Sequence, residues 1–333
     1  MSLEYSSAVL APSSKLLDGV ILAAGEGTRS NPLNRIFPKA LLPVGNKPLI
    51  FHQLEEMHNL GIKRVFIVIS PSGSQILKTV TEYQHWGLDI NFVHQQVPLG
   101  IAHAVLTVEP YVKNPFIVFL GDIYGKYTAL ATAVNKVFLS EIDGILLAKE
   151  EPDFDSIRQN YAIIVDGSGK VTKVAEKPTT PVSNLKGCGV YVFKPAFFNA
   201  LQRTPKSSMR NEYEITDAIQ IYIDMGYKLR AAKAVEWDIN LNSPRDLIYC
   251  NLAYLDQQGL EHIIAPDAKL SAGTRVSRSV IGRGVCIEHP IAIDKSVILP
   301  GTRVVDRTNI SSKILGPDIE LDFSSDSRLG IWR

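Results

Sequence analysis

Leu22 to Lys39 reads LAAGEGTRSNPLNRIFPK, and the way it follows Gly19-Val20-Ile21-Leu22 decides the fold. The GVIL run is short and apolar, the expected look of a strand buried on both faces of a parallel sheet. It opens into Ala23-Ala24-Gly25-Glu26-Gly27-Thr28-Arg29, where two glycines and two alanines leave little side chain above the backbone. Glycine accepts positive φ and permits close approach, so successive N–H groups can turn toward an anion. Arg29 adds a planar fork for phosphate oxygens, and Lys39, just after Pro38, adds a point charge. Strand, small-residue loop, arginine and Pro-Lys together read as a triphosphate cradle.

Two other phosphate motifs are excluded. A P-loop ends in Gly-Lys-Ser/Thr, and neither GKS nor GKT occurs in the chain. The dinucleotide fingerprint needs a third glycine three residues after the second, where this chain has Ser30.

Outward from the cradle, the chain alternates helical and strand patterns. Pro48 to Leu60 has helical spacing and stops at Gly61, a C-cap signal. Arg64–Ser70, Asp89–His94 and Pro115–Leu120 read as further buried strands, with helices expected over Gln75–Tyr83 and Ile101–Val108. This alternation predicts an α/β fold with a doubly wound, mostly parallel sheet, whose ligands bind at the carboxyl ends of the strands. The cradle, the loop Gln95–Gly100 and Asp122 all fall at those ends. From Gly144 the pattern becomes strand-rich, with helices expected over Glu212–Met225 and Asp246–Gln257.

The tail differs. Apolar residues recur every six positions: Ile264, Leu270, Val276; Ile281, Ile287, Ile293, Leu299; Ile298, Val304, Ile310. That is the repeat of a parallel β-helix, about three coils of eighteen residues here, able to cap the chain or to dimerise it. The expected organisation is a leader over 1–17, a catalytic domain over 18–258 and a hexapeptide-repeat β-helix over 259–333.

Composition bounds the partners. With 333 residues, 45% of them apolar, the chain can bury a full core. Lys+Arg number 35 against 34 Asp+Glu, so no bulk charge draws it to nucleic acid or to a membrane surface. No apolar run approaches the ~20 residues that span a bilayer. Cys188, Cys250 and Cys286 are odd in number and lack CxxC spacing, which fits thiols of a reducing compartment. A cytoplasmic location is expected.

The run GEGTR, Pro32-Leu33, Phe37-Pro38-Lys39, Leu42-Pro43-Val44 and Asn46-Lys47-Pro48-Leu49-Ile50 resembles the signature of the sugar-1-phosphate nucleotidylyltransferases, or NDP-sugar pyrophosphorylases. The resemblance extends from residue 18 to about 255. With the tail added, it is nearest to the long form of the glucose-1-phosphate thymidylyltransferases, through Pro98-Leu99-Gly100-Ile101-Ala102-His103-Ala104, and implies a left-handed β-helix. The implied reaction is attack of a sugar-1-phosphate oxygen on the α-phosphorus of dTTP or UTP, with Mg²⁺ as cofactor.

The resemblance also implies roles. Leu22, Ala24, Gly25, Gly27 and Thr28 line the nucleotide. Arg29 would hold the phosphates that leave as pyrophosphate, and Lys39 those at the reacting centre. Gln95 would read a pyrimidine edge, its amide donating and accepting at once, with Gly100 leaving room for the base. Glu176 and Lys177, in Glu-Lys-Pro, would take sugar hydroxyls and sugar phosphate. Gly189 and Glu214 fall in the sugar pocket. Asp122 and Asn240 would hold the metal, with Asp238 an alternative to Asn240.

Three departures all lie on the sugar and metal side. Gly-Asp-Asn is here Gly121-Asp122-Ile123; Tyr-Gly is Asn160-Tyr161; and Trp-Lys-Asp-Thr-Gly-Thr-Pro is replaced by Trp237 to Pro244. Alternatives therefore stand: another base, an unusual sugar or cyclitol phosphate, or a catalytically silent regulatory paralogue. An acyltransferase tail is disfavoured, because His289 is the only histidine within the ladder. The open end of the tail leads to an expected homo-oligomer.

Overall fold

The computed structural model describes residues 16–330, apart from 26, 84–86, 140 and 209. The expected leader thus lies outside the described residues except for its last two positions, as do 331–333 of the tail.

The first half is the expected parallel α/β layer. β1 (Asp18–Leu22) is followed by α1 (Leu49–Asn59), β2 (Arg64–Ile69), α2 (Ser74–Glu82), β3 (Asp89–His94), α3 (Ile101–Leu106) and β4 (Phe116–Leu120). β1 lies between β2 and β4, with β3 beyond β2, and all four run parallel. Alternate residues serve opposite faces, as a pleated strand requires. Val20, Phe116 and Val118 pack with α3 on one side, and Ile21, Ile117 and Phe119 with α1 and α2 on the other.

The sheet then turns mixed. β5 (Ile123–Tyr127), α4 (Leu130–Leu139), β6 (Gly144–Glu150), β7 (Tyr161–Val165), β8 (Val171–Glu176) and β9 (Leu185–Phe193) follow. They lead to α5 (Ile215–Asp224), β10 (Leu229–Lys233), β11 (Val235–Asn240) and α6 (Pro244–Gln258). β9 runs antiparallel to β4, β6 and β7, joining the second half to the first as one nine-stranded sheet. β11 and β5 form a separate antiparallel pair in which Asn240 faces Ile123. β5, α4, β10 and β11 were not expected as elements.

α5 begins at Ile215, three residues later than its pattern suggests. The backbone of Tyr213 is engaged elsewhere: its N–H donates to Leu99 O at 2.8 Å and its carbonyl accepts from Ala102 N at 2.9 Å. α6 begins earlier than expected, at Pro244, because Ser243 and Asp246 form a reciprocal capping box ahead of it. It ends on Gly259, whose φ is 64°.

In the tail, Ile264 pairs with Ile281 and Ile281 with Ile298; Leu270 pairs with Ile287 and Ile287 with Val304; Val276 pairs with Ile293 and Ile293 with Ile310. Coils stack in parallel, but each partner is 17 residues on rather than eighteen. One corner of every coil is shortened by a residue in the left-handed region, at Arg278, Lys295 and Ser312. Leu299 consequently leaves the interior ladder. Ile298 points into the coil, whereas Val297 and Leu299 pack outward against Leu247, Ile248 and Leu252 of α6. The antiparallel hairpin Lys313–Gly316 with Ile319–Asp322 ends the stack. Among the described residues, no helix is long and apolar enough to cross a membrane.

Candidate active site

Leu22 pairs with both Val68 and Leu120, so β1, β2 and β4 end at one level. Two cavities open there. The first, about 380 Å³, is lined by Leu22, Ala24, Gly25, Gly27, Thr28, Lys39, Gln95, Gly100 and Asp122. The second, about 160 Å³, is lined by Arg29, Asp122, Glu176, Lys177, Gly189, Glu214 and Asn240. Every residue singled out from the sequence except Asp238 lies on one of the two, and Asp122 lies on both.

The cradle follows from its small residues. A Cβ at Gly25 would meet nothing within 4 Å, so the space above it is open cavity. Gly27 has φ 65°, and a Cβ there would come within 2.9 Å of Lys39 Cγ, so the lysine stem crosses the glycine directly. Lys39 Nζ reaches Asp122 Oδ2 at 3.1 Å. Arg29 opens onto the second cavity and not the first, and its guanidinium donates to Asn242 Oδ1 at 3.1 Å.

Asp122 is held by packing that the sequence did not reveal. A Cβ at Gly121 would strike Leu22 O at 2.5 Å, so only glycine lets β4 turn against β1. The buried Gln53 of α1 donates to Leu120 O at 2.8 Å and Ile123 O at 3.0 Å, bracing the backbone on either side of the aspartate.

Gln95 is buried, and its amide nitrogen donates to Gly100 O at 3.2 Å and His103 Nδ1 at 2.9 Å. The Gly100 carbonyl can only accept, which fixes the amide orientation. Gln95 therefore offers Oε1 alone, not the expected paired donor and acceptor. Burial lowers the His103 pKa, favouring the neutral ring that accepts this bond. Gly100 serves packing as well as lining the first cavity. Its φ is 110° and a Cβ would lie 2.6 Å from Tyr213 O, so glycine there lets two loops dock.

In the second cavity, Thr216 Oγ1 donates to Glu176 Oε2 at 3.3 Å. Burial, then the nearby Glu214 carboxylate, pushes the Glu176 carboxyl up to about 7. Burial also raises Glu214, against Arg210 Nη1 at 3.6 Å. Lys177 has φ 42° and its N–H donates to Asn160 O at 2.7 Å. A non-glycine residue in that region is strained, and such strain clusters at functional sites. Gly189 lines the cavity, yet a Cβ would strike Ile123 Cδ1 at 2.2 Å, so packing of β9 on β5 already demands glycine there. Tyr161, one of the sequence departures, fits only because Gly187 faces it: a Cβ at 187 would stand 1.8 Å from the ring.

Asp238 is corrected as a metal ligand. Its side chain is 1% exposed and is held by Lys186 Nζ at 2.8 Å and Lys149 Nζ at 3.4 Å. Asn240 fits better, because its Oδ1 is buried without a hydrogen-bond partner. Among the described residues no cluster of three His, Cys, Asp or Glu is placed to hold a metal. A carboxylate and an amide oxygen suit Mg²⁺, which completes its shell with substrate phosphates and water.

Gln53, Asn160, Arg210 and Asn242 were not read from the sequence. They carry no motif and reach the site from distant positions. The one local signal was the anomalous Asn160-Tyr161 dipeptide.

A family model described as Nucleotidyl transferase matches residues 18–251. The chain is 33% identical to the UTP–glucose-1-phosphate uridylyltransferase AglF of Haloferax volcanii over 231 residues, covering 69% of this chain and 93% of that one. It is 28% identical to a glucose-1-phosphate thymidylyltransferase of Streptomyces griseus over 338 residues, covering 92% and 93%. The crystal structure of a putative glucose-1-phosphate thymidylyltransferase from Bacillus anthracis in complex with a sucrose shares the fold. Its TM-score is 0.65 at 24% identity, covering 72% of this chain and 96% of that one. The chain therefore belongs to the nucleotidyl transferase family, among the sugar-1-phosphate nucleotidyltransferases, and is a nucleotidyltransferase.

Proposed function

We infer that this chain transfers a nucleotidyl group from dTTP or UTP to a sugar-1-phosphate, glucose-1-phosphate being favoured, with release of pyrophosphate. The observation that carries the reading is Asp122, common to a larger cavity floored by small residues and a smaller one lined by carboxylates and cations. A nucleotide in the first and a sugar phosphate in the second would meet at that residue.

The attacking phosphate oxygen is already an anion, so the site needs no general base. It must align two polyanions and offset their repulsion. Gly25, Gly27 and Thr28 present backbone to the triphosphate, and Lys39 supplies positive charge at the reacting centre. Arg29, which opens onto the second cavity and pairs with Asn242 in this structure, would have to swing toward the first to take phosphate oxygens of the leaving group. Lys177 holds the sugar phosphate. Glu176 and Glu214 accept sugar hydroxyls beside Gly189. Gln95 Oε1 accepts from N3–H of uracil or thymine, a donor that cytosine lacks. Asp122 and Asn240 would hold Mg²⁺, which when bound neutralises phosphate charge.

In this reading residues 18–258 perform the chemistry and 259–333 brace α6 and serve self-association, in a cytoplasmic enzyme. The test is pyrophosphate release across the common NTPs and a panel of sugar-1-phosphates, with and without Mg²⁺. Release with dTTP or UTP and one sugar is expected. Turnover with purine NTPs alone would overturn the base assignment. The absence of any nucleotide binding would overturn the whole reading.

A further inference from the structure

Asn240 carries a buried oxygen without a protein partner, and its orientation is set by a chain of hydrogen bonds beginning at a group with no choice. Ser156 O can only accept, and it takes a bond from Asn160 Nδ2 at 2.9 Å. Asn160 must therefore turn Oδ1 the other way, and that oxygen accepts from Asn240 Nδ2 at 2.8 Å. With its nitrogen so engaged, Asn240 must present Oδ1 on its remaining side, where the atom is buried without a protein partner. Asn160, Asn240 and Asp122 line the same cavity. The main chain of Asn160 does a second task, its carbonyl accepting from Lys177 N–H at 2.7 Å and holding Lys177 at φ 42°.

We propose that Asn160 is a positioning residue: its side chain locks the Asn240 amide with the oxygen turned away from Asn160 and available to the metal, and its carbonyl sets the backbone from which Lys177 reaches the sugar phosphate. The side-chain half rests on the reading of Asn240 as a metal ligand. An asparagine ligand needs such a lock, because its two ends are nearly isosteric and only the oxygen binds a cation. An aspartate would not need one, since either oxygen serves. This gives the departure at Asn160-Tyr161 a physical partner in the departure at Asn240.

The test is Mn²⁺ binding followed by electron paramagnetic resonance, without nucleotide or sugar, on the full chain and five variants, one of them double. Asn160→Ala keeps the carbonyl that holds Lys177 but frees the Asn240 amide. Its Mn²⁺ affinity is expected to fall about 10-fold, the lower end of what losing an outer-shell partner costs. Asn240→Ala is expected to lose at least as much. In Asn240→Asp the same Asn160→Ala change is expected to have no effect, because a carboxylate cannot be presented wrongly. Asn160→Ser, which leaves a smaller void, should repeat the loss if Asn160→Ala melts early.

Unchanged Mn²⁺ binding in Asn240→Ala, or no saturable binding by the native chain, would overturn the metal reading of Asn240 and the lock with it. Loss in Asn240→Ala but not in Asn160→Ala or Asn160→Ser would overturn the lock alone. So would an Asn160→Ala effect that persists in the Asn240→Asp background, since a general structural role would act in both.

Discussion

Lys39 and Asp122 stand 3.1 Å apart, one from the loop after β1 and the other from the turn after β4. A cation and a carboxylate from separate strand ends thus meet at the junction of the two cavities. Asp122 is already 34% exposed beside Lys39, so in Lys39→Ala its charge stays solvated and the fold should persist. Turnover is expected to fall by about 100- to 1,000-fold, the scale for losing one preorganised electrostatic group. Steady-state pyrophosphate release, with a melting curve beside it, checks both halves. Unchanged kcat would remove Lys39 from the reacting centre.

Gly27→Ala should injure the same group from below. The residue has φ 65°, and the added methyl would press on Lys39 Cγ. Left-handed backbone costs a non-glycine residue about 1–2 kcal/mol. The expected result is a modest loss of melting temperature with a fall in kcat, whereas Gly25→Ala, at an open position, should raise the KM for nucleotide without loss of stability.

Gln95→Ala should blur base choice. The native amide is turned by Gly100 O and His103 so that only Oε1 is free to accept, which favours a base carrying N3–H. The ratio of kcat/KM for UTP over CTP is expected to fall about 10-fold or more, because a site built around one hydrogen bond rejects a base that cannot supply it. Equal ratios in native and variant chains would remove Gln95 from base recognition.

Glu176 should make sugar binding depend on pH near neutrality. Burial first and Glu214 second push its carboxyl up to about 7 from 4.5. A carboxyl raised by folding binds its proton more tightly in the native state, so its contribution to stability is complete below 4.5 and is lost as pH rises through about 7. The ionised form accepts sugar hydroxyls more strongly. KM for sugar phosphate is therefore expected to fall as pH rises from about 6 to about 8, with KM for nucleotide flat. In Glu176→Gln the sugar profile should flatten; a profile identical to the native one would assign the titration elsewhere.

Asp238→Ala should damage stability. The carboxylate lies between Lys186, 4% exposed, and Lys149, 16% exposed; removing it strands the Lys186 ammonium, while Lys149 keeps Glu151 at 2.9 Å. Breaking a buried pair in this way costs about 3–5 kcal/mol, readable as a lower midpoint in urea unfolding. A change below about 1 kcal/mol would mean that water reaches Lys186.

What could be read from the sequence was whatever depends on neighbours within one turn or one strand. The apolar run into Gly25-Glu26-Gly27-Thr28-Arg29 gave the first strand and the cradle, because strand burial and loop freedom are local properties of those residues. The six-residue recurrence gave the β-helix. Its true repeat of 17 depended on left-handed corners at Arg278, Lys295 and Ser312, positions with no glycine to mark them.

Only the tertiary structure decided how the site's parts are held. Asn240 meets Asn160 across 80 positions, Lys39 meets Asp122 across 83, and Arg29 meets Asn242 across 213. Asp238 and Asn240 are both plausible oxygen donors as letters, and they share one face of β11, so only position along the strand separates them: Asp238 falls between Lys186 and Lys149, while the register with β5 carries Asn240 to the cavity beside Asp122. The sequence by itself determined which residue types could cradle phosphates and where the parallel strands lie. The direction of each amide, the partner of each charge and the meeting of two cavities at Asp122 came from packing, because those contacts join segments whose separation in the chain carries no periodic signal.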